Sequence, residues 1–119
     1  MDMQQLLSEQ ANCTDLLKCA FNLNDLEIEL YRLLSKKGPL RSDEIAEYCK
    51  KGPSTVYRSL QKLMSCGMVV RETKHLEGGG YYYLYHPKSH DRLKKDLQTC
   101  VNSWKKRVDE LMNRFDEEI

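Results

Sequence analysis

Lys50, Lys51, Arg58 and Lys62 fall in a stretch, 50–62, that holds no carboxylate, and Ser54, Thr55, Tyr57 and Gln61 are interleaved with them. Cations of this density suit phosphate oxygens. Hydroxyls and amides suit the donor and acceptor edges of bases. Arg58 is the expected guanine contact, because its planar fork matches O6 and N7. Lys50, Lys51 and Lys62 read as phosphate neutralisers, being compact point charges. Ser54, Thr55, Tyr57 and Gln61 are the remaining candidates for base edges or thymine methyls. A second, smaller basic set, Arg71, Lys74 and His75 against Glu72 and Glu77, precedes Gly78-Gly79-Gly80. It would sit at the tip of a hairpin lying on an adjacent backbone or minor groove. A solvated helix face has the same composition, so the segments that carry these residues must decide.

Those segments alternate in period. Val56, Leu60 and Leu63 stand at i, i+4 and i+7, the buried stripe of a helix over 53–66. Pro53 suits its first position, and Gly67 its left-handed stop. Ser54, Thr55, Arg58, Gln61 and Lys62 then share the outer face, with Tyr57 at the margin. Ahead of it, Ser42 is the expected cap of a short helix with Ile45, Ala46 and Cys49 inward, followed by a turn at Lys50-Lys51-Gly52. Asn24 and Glu27 have capping-box spacing and open another helix, with Leu26, Leu30, Leu33 and Leu34 as its stripe and Gly38-Pro39 as its end. Residues 2–20 predict an amphipathic helix broken near Asn12. After Gly67 the reading changes to strands at 68–72 and 81–85, closed by Pro87, with Ser89 capping a last helix. The fold class predicted is mainly α with a small β-hairpin: a winged helix-turn-helix with N- and C-terminal dimerisation helices.

Leu93, Leu97, Val101, Trp104, Val108, Leu111 and Phe115 recur at three- and four-residue steps along that last helix. Unbroken from 90 to 118 it would be about 40 Å long, against a radius of gyration of about 13.5 Å for a compact chain of this length. A stripe of that extent needs a partner, and the expected partner is a second copy, helped by the N-terminal helix. The expected organisation is 1–22 as dimerisation support, 23–87 as the DNA-binding domain and 88–119 as the dimerisation helix.

The chain of 119 residues is nearly neutral at +1, but unevenly so. Residues 1–35 carry 2 basic and 6 acidic groups, 36–75 carry 9 and 4, and 76–119 carry 8 of each. The basic centre coincides with the expected recognition helix. No apolar run approaches the roughly 20 residues of a membrane span, and the N-terminus lacks a signal-peptide pattern. With five cysteines, no CxxC pair and no secretory signal, a cytoplasmic chain with reduced thiols is expected.

Other chemistries fit less well. Tyr81, Tyr82, Tyr83 and Tyr85 would suit a stacking platform for single-stranded bases, but alternating tyrosines more commonly pack a hairpin onto a core. His86 and His90 are separated by Pro87 and a helix cap, so they do not form a metal pair. Cys49 and Cys66 flank the 53–66 helix and are the cysteines a thiol- or metal-responsive regulator would use. No nucleophile elbow, P-loop, zincin or dinucleotide fingerprint occurs, so no enzyme, cofactor or metal is implied.

The run LNDLEIELYRLLSKKGPLRSDEIAEYCKKGPSTVYRSLQKLMSCGMVVRE, which begins at Leu23, resembles the DNA-binding domain of archaeal TrmB-type transcriptional regulators, relatives of the MarR superfamily. The likeness rests on Leu23, Tyr31, the Gly38-Pro39-Leu40 break, Ile45-Ala46-Glu47, Ser54-Thr55-Val56-Tyr57-Arg58 and Gly67, and covers about 23–86. It implies a homodimer that binds promoter DNA, with 53–66 in the major groove and a wing over 71–81. Lys50 and Lys51 stand where the family's turn usually has Gly and an apolar residue, and Gly80 where wings of the superfamily often end in arginine. Larger members append a sugar-binding domain, which a chain of this length is expected to lack. The competing reading is a winged-helix protein-interaction module of the transcription machinery that does not read DNA.

Overall fold

A computed structural model describes residues 2–119. It divides after Ser89 into two compact units. The first opens with α1 (Met3–Leu7) and α2 (Cys13–Phe21), so the N-terminal helix is indeed interrupted before Asn12. Asn12 begins α2 by accepting from the Asp15 N–H at 3.1 Å, while the Asp15 carboxylate accepts from the Asn12 N–H at 3.0 Å. The same reciprocal cap starts α3 (Asp25–Lys37), through Asn24 and Glu27 at 2.9 and 2.8 Å. Two otherwise unpaired first-turn donors are satisfied at each site. This explains why Glu27 is buried. Gly38 ends α3 at φ +86, a conformation without penalty only for glycine.

The next helix, α4 (Ser42–Cys49), starts one residue earlier in capping terms than expected. Arg41, not Ser42, is the N-cap, because Glu44 reaches back to accept from the Arg41 N–H at 2.9 Å. The turn into α5 (Pro53–Ser65) is made by Lys50 itself, at φ 54 and ψ 44. A side-chain-bearing residue thus does the work of the family's glycine, at a cost of about 1 kcal/mol. Replacing Lys50 with Gly is therefore expected to stabilise the chain by about 0.5–1 kcal/mol, seen as a higher urea midpoint. No change in midpoint would mean the left-handed turn is not strained.

The end of α5 is a complete Schellman motif. Gly67 at φ +72 donates to the Met64 carbonyl at 3.0 Å, and Met68 to the Leu63 carbonyl at 2.9 Å. Leu63 and Met68, the pair such a motif brings together, are both fully buried. The chain enters β1 (Val69–His75), which pairs antiparallel with β2 (Tyr81–Pro87), with Val69 opposite Pro87 and His75 opposite Tyr81. β1 starts at Val69 and not at the expected Met68, both strands run past the expected ends at 72 and 85, and the loop shrinks to residues 76–80. A third strand segment is one residue long. Leu40 bridges Tyr85, whose N–H donates to the Leu40 carbonyl at 2.8 Å.

Ile28, Leu30 and Leu34 from α3, Ile45 from α4, Val56, Leu60 and Leu63 from α5, and Val69 and Tyr85 from the hairpin form the core. The Tyr31 hydroxyl donates to the Lys88 carbonyl at 2.7 Å.

The second unit holds α6 (His90–Asn113) and α7 (Phe115–Glu118). The helix expected to run unbroken to 118 is interrupted at Arg114, at φ -101 and ψ 2. Asp116, Glu117 and Glu118 account for the break. Three carboxylates at the negative end of a long helix are unfavourable, whereas in the first turn of a new one they face its positive end. Among the described residues, no helix is long and apolar enough to cross a membrane.

Candidate nucleic-acid interface

Burial divides α5 into two faces. Val56, Ser59, Leu60 and Leu63 are buried, and Ser59 is the one the periodicity did not assign. Ser54, Tyr57 and Arg58 are exposed, and Thr55, Gln61 and Lys62 half-buried. Tyr57, expected at the margin, is 54% exposed, so it belongs to the outer face. Pro53, Ser54, Tyr57 and Arg58 line a shallow open depression at the start of the helix. The N-terminus there has no side-chain cap, only Gly52 and then Pro53. Its positive end is left facing outward, which favours an anion.

Among the described residues, Lys50, Lys51, Arg58 and Lys62 make no ion pair. Some other cations are engaged: Arg41 lies 3.3 Å from Asp43, Arg92 3.5 Å from Asp96, and Arg107 3.2 Å from Glu110. What distinguishes 50–62 is that its cations lie together in a stretch without carboxylates. The basic centre of the sequence therefore survives folding as unneutralised charge around the turn and along α5.

The wing differs from expectation. Arg71, Lys74 and His75 lie within β1, not in the loop, and the loop itself is Leu76 to Gly80. Pairing register sorts these side chains. Val69, Arg71, Thr73 and His75 share a face with Tyr81, Tyr83 and Tyr85, and Val70, Glu72 and Lys74 share the other with Tyr82, Leu84 and His86. On the first, the Arg71 guanidinium lies 4.0 Å from the Tyr83 ring centroid, and Tyr83 is 5.4 Å from Tyr81. On the second, the Glu72 carboxylate lies 2.9 Å from His86 and 3.6 Å from Lys74. The His86 hydrogen bond chiefly, with Lys74 beside it, holds that carboxyl below its ordinary value. Of the four tyrosines only Tyr85 is buried in the core. Composition did not reveal the Arg71–Tyr83 and Glu72–His86 partnerships. Strand alternation would have, given the register.

The cysteines are free, Cys13 exposed and the other four half-buried. Burial, with Glu29 adding to it and Lys51 opposing, pushes the Cys49 thiol up, which keeps it in its less reactive form. Cys66 lies 3.9 Å from the Phe21 carbonyl. Among the described residues, no three His, Cys, Asp or Glu side chains are placed to hold a metal.

On α6, Leu93 is buried within the single chain, and Leu97 and Val108 are half-buried. Val101, Trp104 and Leu111, with Phe115 at the start of α7, are exposed.

Three helices, a left-handed turn between the second and third, a one-residue strand bridge and a two-stranded wing define a winged helix-turn-helix of the kind found in transcriptional regulators. The family described as sugar-specific transcriptional regulator TrmB matches residues 17–91, and the chain belongs to that family. Archaeal proteins are among the chains it resembles. The uncharacterized protein MJ1503 of Methanocaldococcus jannaschii is 34% identical over 100 residues, covering 81% of this chain and 76% of its own. A solved structure from Methanosarcina mazei Go1, titled a possible transcriptional regulator, has a TM-score of 0.75 at 28% identity, over 85% of this chain and 86% of that one. The ST1889 protein of Sulfolobus tokodaii shares the fold, with a TM-score of 0.63 at 24% identity, over 80% and 93% of the two chains.

Proposed function

We propose that the protein is a homodimeric regulator that reads duplex DNA by sequence, with α5 in the major groove and the wing on a neighbouring backbone or minor groove. The observation that carries this reading is the outer face of α5. Ser54, Tyr57 and Arg58 on it are exposed and Thr55, Gln61 and Lys62 half-buried, it bears hydroxyls and a guanidinium, and among the described residues its cations make no ion pair. Arg58 is the base-reading cation. Ser54, Thr55, Tyr57 and Gln61 meet base edges or the adjoining backbone. Lys50, Lys51 and Lys62 neutralise phosphates. Dimerisation through the exposed stripe of α6 supplies a two-fold, so paired half-sites about 34 Å apart are expected.

Affinity for duplex DNA is the test. It should fall steeply with salt, because each neutralised phosphate releases counterions. An absence of duplex binding at low salt would favour a protein-interaction module. Arg58→Ala is expected to cost about 1–3 kcal/mol and to relax preference at one base position, read from a binding-site logo obtained by selection. An unchanged logo would remove Arg58 from that role. Lys62→Ala is expected to weaken all sequences alike and flatten the salt slope by about one.

A further inference from the structure

The two faces of the wing are chemically unlike, and they are also placed differently. The face bearing Arg71 continues at its root into Val69 and Tyr85, which are buried in the core on which α5 is packed. The opposite face begins with Val70, which is 56% exposed. As the hairpin leaves the core, the Arg71 face therefore continues the side of the sheet that is packed on the helices, α5 among them, while on the other face the Arg41 guanidinium lies 5.7 Å from the Tyr82 ring.

That face holds no carboxylate. Its residues are Arg71, Thr73, His75, Tyr81 and Tyr83. With the Arg71 guanidinium 4.0 Å from the ring centroid, Tyr83 holds one side of it. The N–H donors around its rim stay available to an oxygen acceptor. The opposite face sets Glu72 between Lys74 and His86, which adds a negative charge where a phosphate would have to approach.

We infer that the wing meets duplex DNA with the Arg71 face alone, that Arg71 is its phosphate-contacting cation, and that Tyr83 is the positioning residue that holds it. Lys74 lies on the turned-away face and takes no part. The inference rests on the DNA-binding reading of α5. It concerns the duplex and not unpaired bases, because the aromatic pair is not an open shelf. Arg71 covers one side of Tyr83, and the Tyr81 ring is inclined to it by 60°.

The experiment measures affinity of the full chain for a labelled mixed-sequence duplex of about 30 base pairs, across a salt series. Arg71→Ala is expected to lower affinity about 5–10-fold and to flatten the salt slope by about one. Lys74→Ala is expected to leave the slope unchanged. Tyr83→Leu, which removes the ring, reproduces most of the Arg71→Ala loss and adds nothing to it in the double variant. Tyr83→Phe keeps the ring face and binds as the parent does.

A slope flattened by Lys74→Ala but not by Arg71→Ala overturns the inference. Tighter binding to a single strand of equal length that depends on Tyr81 and Tyr83 also overturns it. If Tyr83→Leu does not fold, the exposed Arg71 and Lys74 variants still decide. Should Arg58→Ala weaken binding while Arg71→Ala does not, the wing assignment alone fails. If the parent chain binds no duplex at low salt, the reading of α5 fails with it.

Discussion

Trp104→Asp is expected to convert the protein from dimer to monomer in sedimentation velocity, and to weaken binding to a two-half-site duplex about 10²–10⁴-fold through lost linkage of the two reading helices. Trp104 lies on α6, a helix of 24 residues and thus about 36 Å long. It is 52% exposed in the single chain, and Val101 and Leu111 on the same stripe are exposed with it. In a two-fold interface each substitution occurs twice, so one change places two carboxylates in the proposed apolar seam. Removing such groups from water without partners costs several kcal/mol apiece, comparable with the whole free energy of a modest dimer. The fold of the single chain should be untouched, so circular dichroism serves as the control. A dimer that persists would move the interface to the N-terminal helices, where Met3 and Leu7 are also exposed.

Where local chemistry decides the backbone, the residues could be read directly. Asn24 with Glu27, Gly38, Pro53 and Gly67 mark helix ends because capping and left-handed geometry admit few residue types. The inward stripe of Val56, Leu60 and Leu63 follows from the helical period alone. The outer length of β1 did not show. Thr73, Lys74 and His75 lie beyond the core with both faces wet, so the apolar alternation that signals a strand vanishes there. The Leu40–Tyr85 bridge is a single pair joining distant parts of the chain, which no local pattern announces. Lys50 conceals its left-handed conformation because lysine is not a residue that normally adopts it.

The candidate interface divides along the same line. Its composition over 50–62 was legible, because base edges and phosphates call for recognisable side chains. The sorting of wing residues onto two chemically unlike faces was not. It depends on which residue of β1 stands opposite which residue of β2, and only the pairing fixes that. The interruption at Arg114 was written in the acidic run that follows, but the apolar spacing through Phe115 outweighed it.

Leu60→Ala is expected to cost about 2–5 kcal/mol of stability, a large fraction of the roughly 5–15 kcal/mol available to a small domain. Leu60 has no exposed surface, and α5 packs on both α3 and α4. Shortening its side chain leaves a cavity that three helices must collapse to fill. A lower urea midpoint at constant slope would report the loss as stability, not as a change in compactness. The comparison with Arg58→Ala then separates the two faces of one helix. Arg58 is exposed and ion-paired to nothing among the described residues, so its removal should leave the midpoint within about 0.5 kcal/mol while reducing DNA affinity. Leu60→Ala should do the reverse: measured in the cold, where the variant stays folded, its affinity per folded molecule should remain close to the parent's. A midpoint insensitive to Leu60→Ala would mean that its side chain does not anchor α5. Loss of binding without loss of stability would place the inner face of α5, and not the outer, against the DNA.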